Sequence, residues 1–131
     1  MLPIHQGDSE LDRSREFCTE RLDEWILRDL SNLFDQTLAE YSDSFTHDGI
    51  AEDKIRQGNI RARLRMITLY DLASKNNGLV ASTDNFSELA LGFWTLHGDV
   101  GDVSPIQALT KSWEVPALAE HLGVPQSIVD A

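Results

Sequence analysis

A chain of 131 residues is long enough for one domain with a single core and too short for two comfortable ones. With 41% apolar and 25% charged residues it reads as an ordinary folded domain and not as a disordered segment. A formal charge of −11 repels phosphate backbones and anionic headgroups, which argues against nonspecific nucleic-acid or membrane binding while leaving room for one local basic pocket.

Residues 1–4 are a short apolar start with Pro3 and predict the end of a strand. Residues 9–22 are charged, with Leu11, Phe17 and Cys18 sparsely placed, and predict a surface helix. Trp25, Ile26 and Leu27 form a short apolar run before Arg28, Asp29 and Leu30, a strand pattern. Over residues 31–41, Leu33, Phe34, Leu38 and Tyr41 fall at helical spacing, with Ser31 as N-cap. Residues 42–53 are polar and acidic and predict a mobile loop.

The longest helical pattern covers residues 52–76. Ile60, Leu64, Ile67 and Asp71 follow one row, and Leu69, Leu72 and Ala73 widen the apolar face. Asn76-Asn77-Gly78 stops it, Asn and Gly being the residues that tolerate a left-handed cap. Residues 79–82 predict a strand, and Phe86, Leu89, Ala90, Phe93 and Trp94 predict the buried side of the next helix. "HGDVGDVSP" is a Gly- and Asp-rich loop, and a last helix over residues 112–122 stops at Gly123. Pro116 lies early enough in it to be tolerated. Strands alternating with helices predict an α/β fold with a parallel sheet, one domain over residues 1–131.

The single cysteine, Cys18, has no internal disulfide partner, which suits a reducing compartment. No apolar stretch approaches a membrane span, and the start lacks a signal-peptide layout, so the expected location is cytoplasmic. The four histidines show no metal-ligand spacing, and no Ser/His/Asp or Cys/His set is present.

The polar knot Ser82-Thr83-Asp84-Asn85 ends the third predicted strand and opens a helix. Asn85 and Glu88 have the spacing of a capping box, in which the acid reaches back to a free amide. Asp84 favours the positive end of the same helix dipole. The place also suits chemistry, because ligands in open α/β sheets bind beyond strand carboxyl ends. There Glu88 suits Mg²⁺, which takes one or two carboxylates plus substrate phosphates. Pattern alone leaves both readings open. Asn59 and Arg63, four apart, share a helix face, with Arg61 and Arg65 on a neighbouring row. That arginine face is either solvated and salt-bridged or a fork for carboxylate or phosphate. Lys111 by itself reads as a surface lysine.

Taken together, "QGNIRARLRM", "STDNFSELALGFWT", "HGDVGDVSPI" and a lysine followed by "LAEHLGVPQ" resemble ammonia-dependent NAD synthetases, in register from Gly58 to Pro125. Leu2, Pro3 and Asp8 resemble the same family upstream. The resemblance implies a Rossmann-like parallel sheet flanked by helices, of the adenine-nucleotide alpha-hydrolase kind. It implies ATP-dependent amidation of deamido-NAD with ammonia through an acyl-adenylate, with ATP and Mg²⁺ required. It places Asn59 and Arg63 near deamido-NAD, Thr83 and Lys111 on ATP, and Glu88 on Mg²⁺. Asp99 and Asp102 fall in the loop over the ammonia and substrate site.

The sequence also departs from the family pattern. It has no "SGGxDS" pyrophosphate loop and no "PTADL"-like segment, Leu96 replaces a substrate-binding lysine of some members, and the loop reads "GDVGD". The expectation is a truncated synthetase domain carrying half of the site. It would act as a homodimer or with a chain supplying the phosphate loop. The alternative is a non-catalytic nucleotide-binding or dimerisation module.

Overall fold

The structure is a computed structural model, described over residues 1–41 and 51–130. The described residues hold six helices: α1 (Asp8–Arg21), α2 (Ser31–Glu40), α3 (Ala51–Lys75), α4 (Phe86–Leu91), α5 (Glu114–His121) and α6 (Gln126–Val129). The apolar row of α3 supplies the floor on which the rest assembles. Ile60 and Leu64 pack against Ile4, Leu30 and Phe34, so the core lies where residues 1–4 and α2 meet the middle of α3. Phe34, 2% exposed, is its centre; the Arg61 guanidinium lies 4.7 Å over its ring and the His5 ring meets it edge-on at 6.0 Å.

The three predicted strands are extended and paired, but they form no continuous sheet. The Met1 ammonium donates to the Ile26 carbonyl, Arg28 N–H to Met1 at 3.0 Å and Leu30 N–H to Pro3 at 2.9 Å. This is the spacing of a parallel pair, and Pro3, having no N–H, cannot add the next bond. A second parallel contact joins Ala81 to Val103, with Val103 N–H on the Val80 carbonyl and Ser82 N–H on the Val103 carbonyl. The first piece has three such bonds and the second two at its bridge, and neither extends into a longer ladder among the described residues. The pairing from residue 26 to residue 30 also begins later than the predicted run at residues 25–27.

Several local expectations shift for identifiable reasons. Helix α3 begins at Ala51, so residues 51–53 are helix and not loop; residues 42–50 of that predicted loop lie outside the described residues. Ser31 is not an N-cap. Its hydroxyl accepts the His5 N–H at 2.9 Å, while Asp29 takes the Ser31 N–H at 2.8 Å. Hydrogen bonding of Asp29 to Ser31, by the Ser31 hydroxyl first and by its N–H second, holds the Asp29 carboxyl below its ordinary range. At the end of α3 it is Asn77 that takes the left-handed conformation (φ 52°), and Gly78 N–H closes on Ala73 at 2.8 Å.

The predicted buried side of α4 is exposed: Phe86, Leu89 and Phe93 all lie open, the last 76% so. Left-handed Gly92 (φ 64°) ends the helix after six residues, and none of the described residues covers that face. Helix α5 is two residues shorter at its start than predicted, and α6 follows it without a clear signal in sequence. Helix α6 returns to α1 through Ser127 Oγ on Glu16 Oε2 at 3.0 Å and through Arg21 on the Gly123 carbonyl. No helix among the described residues is long and apolar enough to cross a membrane.

Candidate functional site

The capping box read from the sequence is present. Glu88 N–H donates to Asn85 Oδ1 at 3.2 Å, and Glu88 Oε2 accepts both the Asn85 N–H at 3.0 Å and its side-chain amide at 2.8 Å. One carboxylate oxygen is therefore spent on the helix start. The other, Oε1, turns toward Lys111, whose Nζ lies 3.6 Å away. Capping and ligand chemistry are thus compatible in one residue, each on its own oxygen.

Lys111 is held there by its backbone. Its N–H donates to Ser87 Oγ at 3.2 Å, and the Leu109 carbonyl accepts the Phe86 N–H at 2.8 Å, which docks the start of α4 on residues 109–111. Immediately before the lysine, Glu114 Oε2 accepts the Thr110 N–H at 2.7 Å and the Thr110 hydroxyl at 2.8 Å. The backbone bond first, then the hydroxyl bond, lowers the Glu114 carboxyl below its ordinary value. Stabilisation from this clasp is therefore complete above the ordinary glutamate pKa and fades as pH falls through the lowered folded value. Thr110 amide protection, taken relative to the intrinsic exchange rate at each pH, is expected to persist at mildly acid pH and to fall only below the usual glutamate range. Glu114→Gln, whose amide oxygen still accepts both bonds, should abolish that pH dependence. An acid-sensitive Thr110 amide in the glutamine variant would contradict it.

Asn59, Thr83, Glu88 and Asp99 line one cleft of roughly 680 Å³ between α3 and the start of α4. Its far wall is the turn after α4. There Thr95 donates its hydroxyl to Asn59 Oδ1 at 2.8 Å and its N–H to Asp99 Oδ2 at 2.5 Å. Arg63 does not line the cleft; it is exposed and spends its Nε on the Leu96 carbonyl at 3.1 Å. Asp102 also lies outside it. Its carboxylate accepts the Val80 N–H at 2.9 Å and the Tyr70 hydroxyl at 3.2 Å, fastening the loop to residue 80. Desolvation, then the charge and hydrogen bond of Asp102, raise the Tyr70 pKa.

Asp84, buried at 5% exposure, lines the same cleft beside Thr83 and Glu88. It accepts from the Gln107 amide and, at 3.5 Å, from the Ser104 hydroxyl, and so joins the knot to the far loop. Sequence reasoning missed Thr95 and Glu114. The only available signals were a hydroxyl residue four before an acid in each case, Thr95 with Asp99 and Thr110 with Glu114.

Among the described residues no three His, Cys, Asp or Glu side chains gather as a metal site. A single carboxylate oxygen, Glu88 Oε1, opposite a lysine fits a hard cation that draws its remaining ligands from phosphate and water. It does not fit an all-protein cage.

The family model described as NAD synthase matches residues 4–131. The NH(3)-dependent NAD(+) synthetase of Chlorobium phaeobacteroides is 43% identical over 88 residues, 66% of this chain and 31% of that protein. Among solved structures, NMN synthetase from Francisella tularensis superposes with a TM-score of 0.87 at 31% identity, over 100% of this chain and 52% of that one. The NH3-dependent NAD synthetase from Campylobacter jejuni, in complex with nitrate ion, gives 0.82 at 28% identity, over 98% and 53%. The chain thus spans about a third to a half of the length of these relatives. With the family pattern carried from residue 4 to residue 131, the chain belongs to the NAD synthase family.

Proposed function

We propose that this chain is a section of an ATP-dependent ligase that amidates deamido-NAD with ammonia through an acyl-adenylate, giving NAD. The observation that carries the reading is the opposition of Glu88 and Lys111 beside a cleft that Asn59, Thr83 and Asp99 also line. In it, Thr83 contacts ATP and Lys111 neutralises charge on the departing pyrophosphate. Glu88 Oε1 would hold Mg²⁺, which would supply further charge neutralisation there. Asn59 and Arg63 hold deamido-NAD, and the loop with Asp99 and Asp102 shields the reacting carboxyl from water. The two parallel pairs then belong to a Rossmann-like sheet within one domain. The full site forms with a homodimer partner or with a polypeptide supplying a phosphate-binding loop.

The test is to mix the chain with deamido-NAD, ATP, Mg²⁺ and ammonia, with and without a family polypeptide that carries such a loop. NAD is expected in the complemented mixture. Glu88→Gln, which keeps an acceptor for the cap, should lower its rate by about 100-fold while leaving helix content unchanged. No NAD in either mixture would overturn the reading, as would an unaffected glutamine variant. Because a solved NMN synthetase shares the fold, nicotinate mononucleotide belongs in a parallel arm. Turnover confined to that arm would replace the dinucleotide by the mononucleotide. A second reading, a nucleotide-binding or dimerisation module, is favoured by the open apolar face of α4. Calorimetry with ATP and sedimentation showing neither binding nor self-association would remove it.

A further inference from the structure

Thr95 stands where the turn after α4 meets helix α3, and its backbone and side chain serve different neighbours. Its N–H donates to Asp99 Oδ2 at 2.5 Å, and its carbonyl accepts the Gly98 N–H at 2.9 Å and the Asp99 N–H at 3.2 Å. The backbone of residue 95 is thus tied to its own turn by bonds that need no side chain. The side chain crosses instead to α3, where its hydroxyl donates to Asn59 Oδ1 at 2.8 Å, the usual length of an O–H···O bond.

That hydroxyl is closely aimed. A branched Cβ restricts threonine to few rotamers. Its methyl also lies against Gly98: a Cβ added at residue 98 would meet Thr95 Cγ2 at 2.8 Å and Ala62 Cβ at 2.9 Å. An asparagine carboxamide has two ends of opposite character, an oxygen that accepts and a nitrogen that donates twice. With Oδ1 taken by Thr95, Nδ2 has no partner among the described residues and is the end left for the cleft that Asn59 lines. Turned over, the carboxamide would present an acceptor to a cleft already lined by the carboxylates of Asp84, Glu88 and Asp99. That arrangement would repel the oxygens of an anionic ligand.

We propose that Thr95 is a positioning residue for deamido-NAD, locking the Asn59 carboxamide so that Nδ2 donates to an oxygen of that substrate. The inference rests on the function proposed above and adds to it a residue that touches no substrate itself. It also assigns the polarity of position 59, a donor in the cleft and not an acceptor.

Thr95→Val keeps the branched shape and the backbone bonds and removes only the hydroxyl. In the complemented mixture it should raise KM for deamido-NAD about tenfold, leaving KM for ammonia and kcat within about threefold of the parent. Thr95→Ser retains the donor and should bring KM for deamido-NAD back to within about threefold. In an Asn59→Ala background, Thr95→Val should add nothing further, because the group it positions is gone. Parallel changes in all three constants, or an equal rise in the Asn59→Ala background, would mark a loosened turn and overturn the inference. An unchanged KM in Thr95→Val would do the same. No NAD from the parent chain overturns the proposed function and this inference with it, whereas NAD from the parent beside an indifferent valine variant overturns the inference alone. Should Thr95→Val fail to fold, NMR of the isotope-labelled parent chain decides. Adding deamido-NAD to the complemented mixture should shift the Asn59 side-chain amide protons, and unmoved protons would overturn the donor role.

Discussion

Phe34→Ala is expected to leave the chain largely unfolded at room temperature. Truncating a buried phenylalanine costs about 3–5 kcal/mol in lost burial and residual cavity, against total stabilities of about 5–15 kcal/mol for ordinary domains. The upper part of that range of stability is out of reach here. Only Ile4, Cys18, Leu30, Phe34, Met66 and Val80 are buried apolar residues among those described, and Phe34 joins two of them to α3. The same ring seats Arg61 and His5, so its loss also frees a guanidinium and the 1–5 segment. Urea unfolding followed by circular dichroism measures it. Phe34→Leu, which keeps most of the volume, should lose less than half as much. Near-equal losses in the two variants would show that the site does not act through packing.

Gly101→Ala is expected to detach the loop from residues 80–82. A Cβ there would meet the Val80 carbonyl oxygen at 2.5 Å and Val80 Cγ1 at 2.9 Å, and backbone cannot yield as a flexible side chain would. Gly101 N–H also donates to Ser82 Oγ at 2.8 Å, and Asp102 holds the Val80 N–H from the next position. Separating them removes the parallel contact between Ala81 and Val103. The expected cost is about 1–3 kcal/mol, with fast amide exchange at Ser82 and Val103. Gly58→Ala is the internal control. It lies within α3 with nothing within 4 Å of an added Cβ, and should stabilise by about 0.5–1 kcal/mol. A Gly101→Ala protein as stable as the parent, with Ser82 still protected, would refute the account.

Local chemistry made much of this legible. The Asn85–Glu88 spacing named its cap because both partners lie within one turn, and the α3 row named its own core face. What failed was tertiary. Phe86, Leu89 and Phe93 have helical spacing, yet periodicity says only which residues share a face and not whether anything covers it. Ser31 and Asp84 have the composition of caps, but His5 and Gln107, distant in sequence, offered them other bonds. Of the site, Asn59, Thr83, Glu88 and Asp99 come together in the cleft. Arg63 and Asp102 carry a suggestive residue type whose hydrogen bonds serve the loop around residues 80–103.

The divided duty of Glu88 bears on how such chains drift. One oxygen starts a helix and the other faces the lysine, so relaxing selection on ligand binding would not free the position. A lineage that had stopped using its cleft would still retain an acid or amide at 88 for the sake of α4. Lys111 has no such second duty: its ammonium faces the Glu88 carboxylate at 3.6 Å on a largely exposed side chain, and only its backbone is needed to seat the helix. In any set of descendants, the lysine would be the first to wander once the chemistry lapsed, and its persistence is the better record of a working site.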